Sequence, residues 1–262
     1  MREVYTGYAE VFERQGTRLR RQRDERYREV LRMAERTLGR TGSLLDVGCS
    51  TGGFLEVAKE TGWKPQGLDL DATAARVATQ RTSVPVYVGP GMASFPGTDM
   101  FDLISMNHYV EHVREPWVEV SAAVSRLRPD GLLLIRTPNG GSAAARAFGS
   151  LWSWFTPPTH LTYFRAQSTE VLADRFGLSI EMKRIWRGDL YSAPVELAMV
   201  ALRGLTGPMG YARLEETRRT AGGVRLATSL KMVDASLFPE RLFSRVNDSE
   251  LMVLLRRKSS AK

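Results

Sequence analysis

The chain carries a single cysteine, Cys49, among its 262 residues. That scarcity excludes an intrachain disulfide and any zinc cluster built from several cysteines, and it makes a reducing compartment the default. Histidine is almost as rare, with only His108, His112 and His160. No stretch reaches the ~18 uninterrupted apolar residues of a membrane span, and the start, Met1-Arg2-Glu3-Val4, lacks an apolar signal core. These absences point to a cytoplasmic protein. Internal repeats and low-complexity linkers are missing too, so one domain with appendages is expected. With 43% hydrophobic and 25% charged residues, the chain is long enough to bury a full core.

The net charge of +8 is unevenly placed. Residues 1–40 hold 11 Lys and Arg against 7 Asp and Glu, a net of +4. Residues 41–180 hold 11 against 13, a net of −2, and residues 181–262 hold 15 against 9, a net of +6. The excess therefore lies in the flanks. A basic flank suits a phosphorylated substrate, an anionic membrane surface or RNA. Solvated helix faces in an arginine-rich chain are the simpler account, and nucleic acid is not the favoured partner.

The most informative segment is Leu44-Leu45-Asp46-Val47-Gly48-Cys49-Ser50-Thr51-Gly52-Gly53-Phe54. It reads as an apolar strand, a turn of small residues and an amphipathic helix. Small residues let the backbone approach a ligand closely, and the helix start offers unpaired N–H groups. A dinucleotide loop wants G-x-G-x-x-G. Here the glycines fall as G-x-x-x-G-G behind an acid, Asp46, which suits a phosphate-free ligand bearing an ammonium and a carboxylate. A second acid, Asp69, ends the next strand about twenty residues past the first glycine. Its two oxygens can take both hydroxyls of an adenosine ribose. Asp71 reads as the N-cap of the helix that follows.

Beyond this point β-type and helical runs alternate. Strands are expected at 43–47, 65–70, 84–88, 101–106 and 131–137, with helices near 53–61, 72–80 and 116–127. Such alternation implies a parallel sheet covered on both faces, with ligands at the carboxyl ends of the strands. An amphipathic helix over 17–39, stopped by Gly39, precedes them behind an aromatic arm of Tyr5, Tyr8 and Phe12. After Thr137 come a small-residue and tryptophan segment that admits a short helix, a helix from about Ser168 to Phe176, and strands at 178–186 and 250–256. The resulting division is an amino-terminal cap over 1–40, a ligand-binding domain over 41–187 and 248–258, and a helical insertion over 188–247 expected to serve as a substrate lid.

The first segment resembles motif I of class I S-adenosylmethionine-dependent methyltransferases, with Ser50 in place of the middle glycine. Further matches are similar to the ubiquinone-type O-methyltransferase branch. They are Phe101-Asp102-Leu103-Ile104, Glu111-His112-Val113, Leu127-Arg128-Pro129-Asp130-Gly131, Thr137-Pro138-Asn139 and Pro158-Thr159-His160-Leu161-Thr162-Tyr163-Phe164. The resemblance implies an α/β, Rossmann-like class I methyltransferase fold, a seven-stranded mixed sheet with helices on both faces. It implies S-adenosyl-L-methionine as donor and S-adenosyl-L-homocysteine as product. Carried over by position, the donor would meet Asp46, Gly48, Cys49, Ser50, Thr51, Gly52, Asp69 and Leu70. Met92 and Ala93 would lie near the adenine, Met106 and Asn107 along the methionine portion, and His112 in support.

Methyl transfer from a sulfonium is an in-line displacement, so positioning and exclusion of water matter more than obligatory catalytic side chains. A hydroxyl acceptor also needs a base, and histidine titrates in the right range. His160, in a proline-bounded loop, is the leading candidate for that base, and His108 the second. His108, Glu111 and His112 spell H-x-x-E-H, a string shared with inverzinc peptidases. It follows a strand here, so peptidase activity is discounted and no metal is expected. The ubiquinone-type branch has an acid at the position of His108. The expected reaction is methylation of a small-molecule hydroxyl. The alternatives are a sugar or lipid-linked glycan as acceptor, with a basic segment gripping its phosphate, and a catalytically silent binding protein that keeps the fold.

Overall fold

A computed structural model of the chain describes residues 17–152, 154–186 and 249–258. The aromatic arm and the 188–247 insertion lie outside the described residues. Contacts divide the described residues into two units. Residues 17–137, 167–184 and 252–258 form the first, and the second consists of the described parts of 138–166 and 185–251.

The first unit is built on a sheet whose order explains where a ligand can go. In chain order the elements are α1 (Thr17–Leu38), β1 (Ser43–Val47), α2 (Gly53–Glu60), β2 (Lys64–Asp69), α3 (Ala72–Thr82), β3 (Val86–Val88), β4 (Phe101–Asn107), α4 (Pro116–Ser125) and β5 (Leu127–Pro138). There follow α5 (Ala143–Phe148), which belongs to the second unit, then α6 (Ala166–Phe176), β6 (Leu178–Trp186) and β7 (Glu250–Arg257). The seven strands run in the order β3-β2-β1-β4-β5-β7-β6. The sheet is mixed, and it is parallel from β3 through β5. This is the class I methyltransferase fold. The chain moves outward from β1 to β3, then returns to lay β4 on the other side of β1. That reversal opens a crevice at the carboxyl ends of β1 and β4.

Local sequence accounts for the elements. Leu44, Leu45, Asp46 and Val47 are all buried, as expected of a central parallel strand covered on both faces. α2 buries Phe54, Leu55, Val57 and Ala58 along one stripe. α3 is capped by Asp71, whose side chain accepts the Thr73 N–H at 2.8 Å, as the sequence indicates. Gly39, with φ 75°, closes α1 through its N–H to the Glu35 carbonyl.

One expectation needs correcting. β5 begins at Leu127 rather than at Gly131. Leu127 pairs with Phe101 before a register shift, and the exposed Arg128-Pro129-Asp130, with Asp130 at φ 63°, form an irregularity within the strand instead of a turn ahead of it. The run Glu111-His112-Val113 is a turn, in which the His112 N–H bonds the Tyr109 carbonyl, and α4 begins at Pro116, where the sequence places it. A left-handed His108 (φ 49°) redirects the chain there, and Pro116 supplies the pre-set φ of a first helical residue.

At the amino-terminal edge of β1 and β4, Asp102 is a tie unrelated to the crevice. Its carboxylate accepts from Arg40 at 2.7 Å, the Ser43 N–H at 2.8 Å and the Ser43 hydroxyl at 2.9 Å. Burial opposes its charge, but Arg40 and Ser43 hold its pKa below the usual carboxylate range. Asp102→Ala is expected to destabilise the protein by about 1–3 kcal/mol, because it strands three donors. The gap between variant and parent should close as pH falls through the depressed pKa, since Asp102 then gains its proton in the parent. Urea titrations at pH 7 and pH 3 check both statements.

Candidate functional site

The turn after β1 is shaped by two glycines and a serine in left-handed conformation. Gly48 (φ 75°) and Gly52 (φ 79°) are there because other residues strain at such angles, and Ser50 tolerates φ 48°. A side chain on Gly48 would strike the Tyr109 ring, its first carbon 2.8 Å from Cδ2. The turn is fastened to β2 by the Gly48 and Cys49 N–H groups, which both donate to the Leu68 carbonyl. It is fastened to Asp69 as well, whose Oδ2 accepts the Ser50 N–H at 2.7 Å. Asp69 Oδ1 accepts the Asp71 N–H at 2.9 Å. Each carboxylate oxygen keeps a second lone pair for a ligand hydroxyl. Burial raises the Asp69 pKa, against the pull of the Asp71 and Ser50 amides.

Asp46 sits at the crevice on β1, 2% exposed. Its Oδ1 accepts the Ser105 hydroxyl at 2.6 Å and the Asn107 amide at 3.3 Å. Removal from water pushes its pKa up to about 7, although Ser105 and Asn107 oppose the shift and Asp69 adds to it. Asn107 Oδ1 is buried and takes no hydrogen bond. The crevice thus combines a desolvated carboxylate with an amide oxygen that takes no hydrogen bond among the described residues. That pair fits an ammonium group. α1 contributes Arg23, whose guanidinium carbon lies 3.2 Å from where a Gly53 side chain would begin, at the start of α2. The arginine also lies over the Tyr27 ring at 5.8 Å, and Tyr27 meets Phe54 edge-on at 5.1 Å.

The other anticipated residues fall as follows. The Cys49 thiol packs with Leu55 and Val84 in the core, and burial raises its pKa well above the usual value. Any contribution it makes to a ligand therefore comes from its backbone. Thr51 is buried, Leu70 is exposed, and Met92 is buried beside exposed Ala93 in a single helical turn over Met92–Ser94. Met106 is fully buried, and strand alternation sends it to the face opposite Ser105 and Asn107. His108 Nδ1 lies 3.3 Å from Glu111 Oε1, and His112 Nε2 lies 4.0 Å from the same oxygen. Glu111 is fully buried, with Oε2 accepting the Thr137 hydroxyl at 3.1 Å.

His160 belongs to the second unit. It is 7% exposed, its Nδ1 is 2.7 Å from the Trp154 carbonyl, and its ring stacks on Trp154 at 5.9 Å between centroids. A carbonyl can only accept, so Nδ1 carries a proton.

Three residues with a place in the crevice escaped the sequence reading. Ser105 was within reach of it, because it stands two residues before Asn107 on the same strand face. Tyr109 and Glu119 were not, since only the fold pairs them: the Tyr109 hydroxyl donates to Glu119 Oε2 at 2.8 Å.

The sequence matches the methyltransferase domain family over residues 19–182, and the chain belongs to that family. With this fold, it is a class I, S-adenosylmethionine-dependent methyltransferase. A solved S-adenosylmethionine-dependent methyltransferase from Archaeoglobus fulgidus is 17% identical with a TM-score of 0.57, over 95% of this chain and 99% of that one. The N-methyltransferase NodS from Bradyrhizobium japonicum WM9, solved with S-adenosyl-L-homocysteine, is 14% identical with a TM-score of 0.53, over 89% of this chain and 86% of that one. CalS10 from Micromonospora echinaspora, an amino pentose methyltransferase solved with its donor, is 26% identical with a TM-score of 0.39. That match covers 42% of this chain and 49% of the other, so the chain spans about half the length of CalS10. No curated protein sequence matches the chain.

The acid at the crevice has a thermodynamic signature. Asp46 titrates near pH 7 in the folded protein and near 3.8 when exposed, so the folded form holds the extra proton between those values. Stability without donor should therefore fall as pH rises from about 4 to 7, and the cost persists above. Asp46→Asn is expected to be more stable than the parent at pH 8, with the difference gone below about pH 4, as urea titrations would show. Binding of a cationic donor favours the charged carboxylate. Donor affinity of the parent should accordingly rise as pH passes upward through about 7, measurable by calorimetry.

Proposed function

We propose that this methyltransferase acts on a hydroxyl of a small molecule, and that it belongs to the ubiquinone-type O-methyltransferase branch. The observation that carries the reading is His160. A hydroxyl must lose a proton as it attacks, and in a histidine whose Nδ1 donates to a carbonyl the nitrogen that can take one is Nε2. The motifs around Glu111-His112-Val113 and Pro158–Phe164 support the branch.

The donor, when bound, supplies a methyl group on a sulfonium, already activated toward displacement. Asp46 and the Asn107 amide oxygen hold its ammonium, and Asp69 takes the ribose hydroxyls. The Gly48–Gly52 turn allows close backbone approach, and Arg23 stands at the start of α2 for the carboxylate. His160 Nε2 receives the acceptor's proton.

The first test is a panel of phenols, sugar hydroxyls and amines, scored by release of S-adenosyl-L-homocysteine. Turnover confined to amines would overturn the hydroxyl assignment. With a hydroxyl acceptor in hand, His160→Ala should lower turnover by roughly 10²–10⁴-fold while donor affinity stays put. Full turnover across pH 6–9 in that variant would remove the histidine from the mechanism. Asp69→Ala should weaken donor binding by roughly 10–100-fold, the loss of charge-assisted hydrogen bonds to the ribose.

A further inference from the structure

The turn after β3 contains no acid, yet a carboxylate stands in it. Gly89-Pro90-Gly91-Met92-Ala93-Ser94 follows β3, and Glu119 reaches this turn from α4. Its Oε2 accepts the Met92 N–H at 2.8 Å. A side chain on Gly91 would begin 2.3 Å from Glu119 Oε1 and 2.7 Å from Cδ. Glycine at 91 is thus the vacancy into which the glutamate fits, and any larger residue would evict it.

This carboxylate shares a corner with the donor residues already placed. The same Oε2 accepts the Tyr109 hydroxyl, and the Tyr109 ring lies against Gly48 of the turn after β1. Burial raises the Tyr109 pKa, and the charges of Glu119 and Asp69 raise it further, so both acids act on one phenol. The turn holding Met92 is tied to Asp69 directly, through the Gly89 N–H on the Asp69 carbonyl at 2.9 Å. A nucleoside whose ribose sits on Asp69 and whose ammonium sits on Asp46 extends its base away from β1, across β2 toward β3. Glu119 is bonded to the turn that follows β3. Glu119 Oε1 takes no hydrogen bond among the described residues and is not sealed from solvent.

We propose that Glu119 is the specificity-determining residue for the donor's base, with Oε1 accepting a hydrogen bond from the exocyclic amino group of adenine. A carboxylate at neutral pH only accepts, so it matches an amino group and repels a carbonyl oxygen at the same position. The site then selects adenine over hypoxanthine. Oε2 is already held by Met92 and Tyr109, which fixes the carboxylate in place and leaves its second oxygen for recognition. Tyr109 acts as a positioning residue that holds Glu119 without reading the base. This inference rests on the donor lying between Asp46 and Asp69, and its test separates the two.

The experiment is calorimetric titration of the intact protein with S-adenosylhomocysteine and with S-inosylhomocysteine, in which a carbonyl replaces the amino group. The parent should favour the adenine ligand by at least about tenfold, the worth of one charge-assisted hydrogen bond. Glu119→Gln keeps an acceptor for the Met92 N–H and can turn its amide toward a carbonyl. It should bind the adenine ligand more weakly and the hypoxanthine ligand more tightly, bringing the ratio close to one. Asp69→Ala should weaken both ligands alike and keep the parental ratio. A parental ratio retained in Glu119→Gln overturns the proposal, even where both affinities fall together, and so does a parent indifferent to the base. If Asp69→Ala changes neither affinity, the donor's placement fails, whatever Glu119→Gln shows.

Discussion

A buried carboxylate at the reversal of strand order governs this molecule. Asp46 lies in the middle of a sheet, out of water, with a hydroxyl and an amide as its only described hydrogen-bond partners. Holding an acid there is costly, and a fold tolerates the cost where a ligand relieves it. The neighbouring features serve the same end. Ser105 and Asn107 alternate on β4 so that both face the acid, and the small-residue turn after β1 clears space above it. The second acid, Asp69, is tied by the Ser50 amide to that turn, so the two carboxylates form one rigid frame.

The architecture makes this frame from local rules. Parallel central strands bury apolar side chains on both faces, leaving the strand ends as the place for polar chemistry. The helices after β1 and β2 cover the sheet through short apolar stripes, and their amino ends return the chain to the crevice edge. α1 closes against α2 and brings Arg23 and Tyr27 to the same turn. Residues remote in sequence thereby converge without any long loop.

Much of this was legible in the sequence. The alternation of strands and helices, the strand at 178–186 and the capping role of Asp71 are found where the sequence places them, and most boundaries differ by one or two residues. The main departure has a physical cause. The strand expected from Gly131 already starts at Leu127, because a register shift keeps Arg128-Pro129-Asp130 within it. Periodicity carries information about neighbours along one element, which is why Ser105 was recoverable. It carries none about the meeting of Tyr109 with Glu119, because a turn separates them and only tertiary packing brings them together.

The lone thiol has a use beyond its packing. Cys49 is wedged beneath the turn that connects β1 to α2, beside Leu55 and Gly67, and stays protonated at physiological pH. An alkylating reagent can reach that sulfur only when the turn lifts away from β2. The labelling rate of this single position is therefore a built-in gauge of how often the frame breathes, and any molecule that clamps the turn slows it. Because no second thiol competes, the signal needs no engineering to be read.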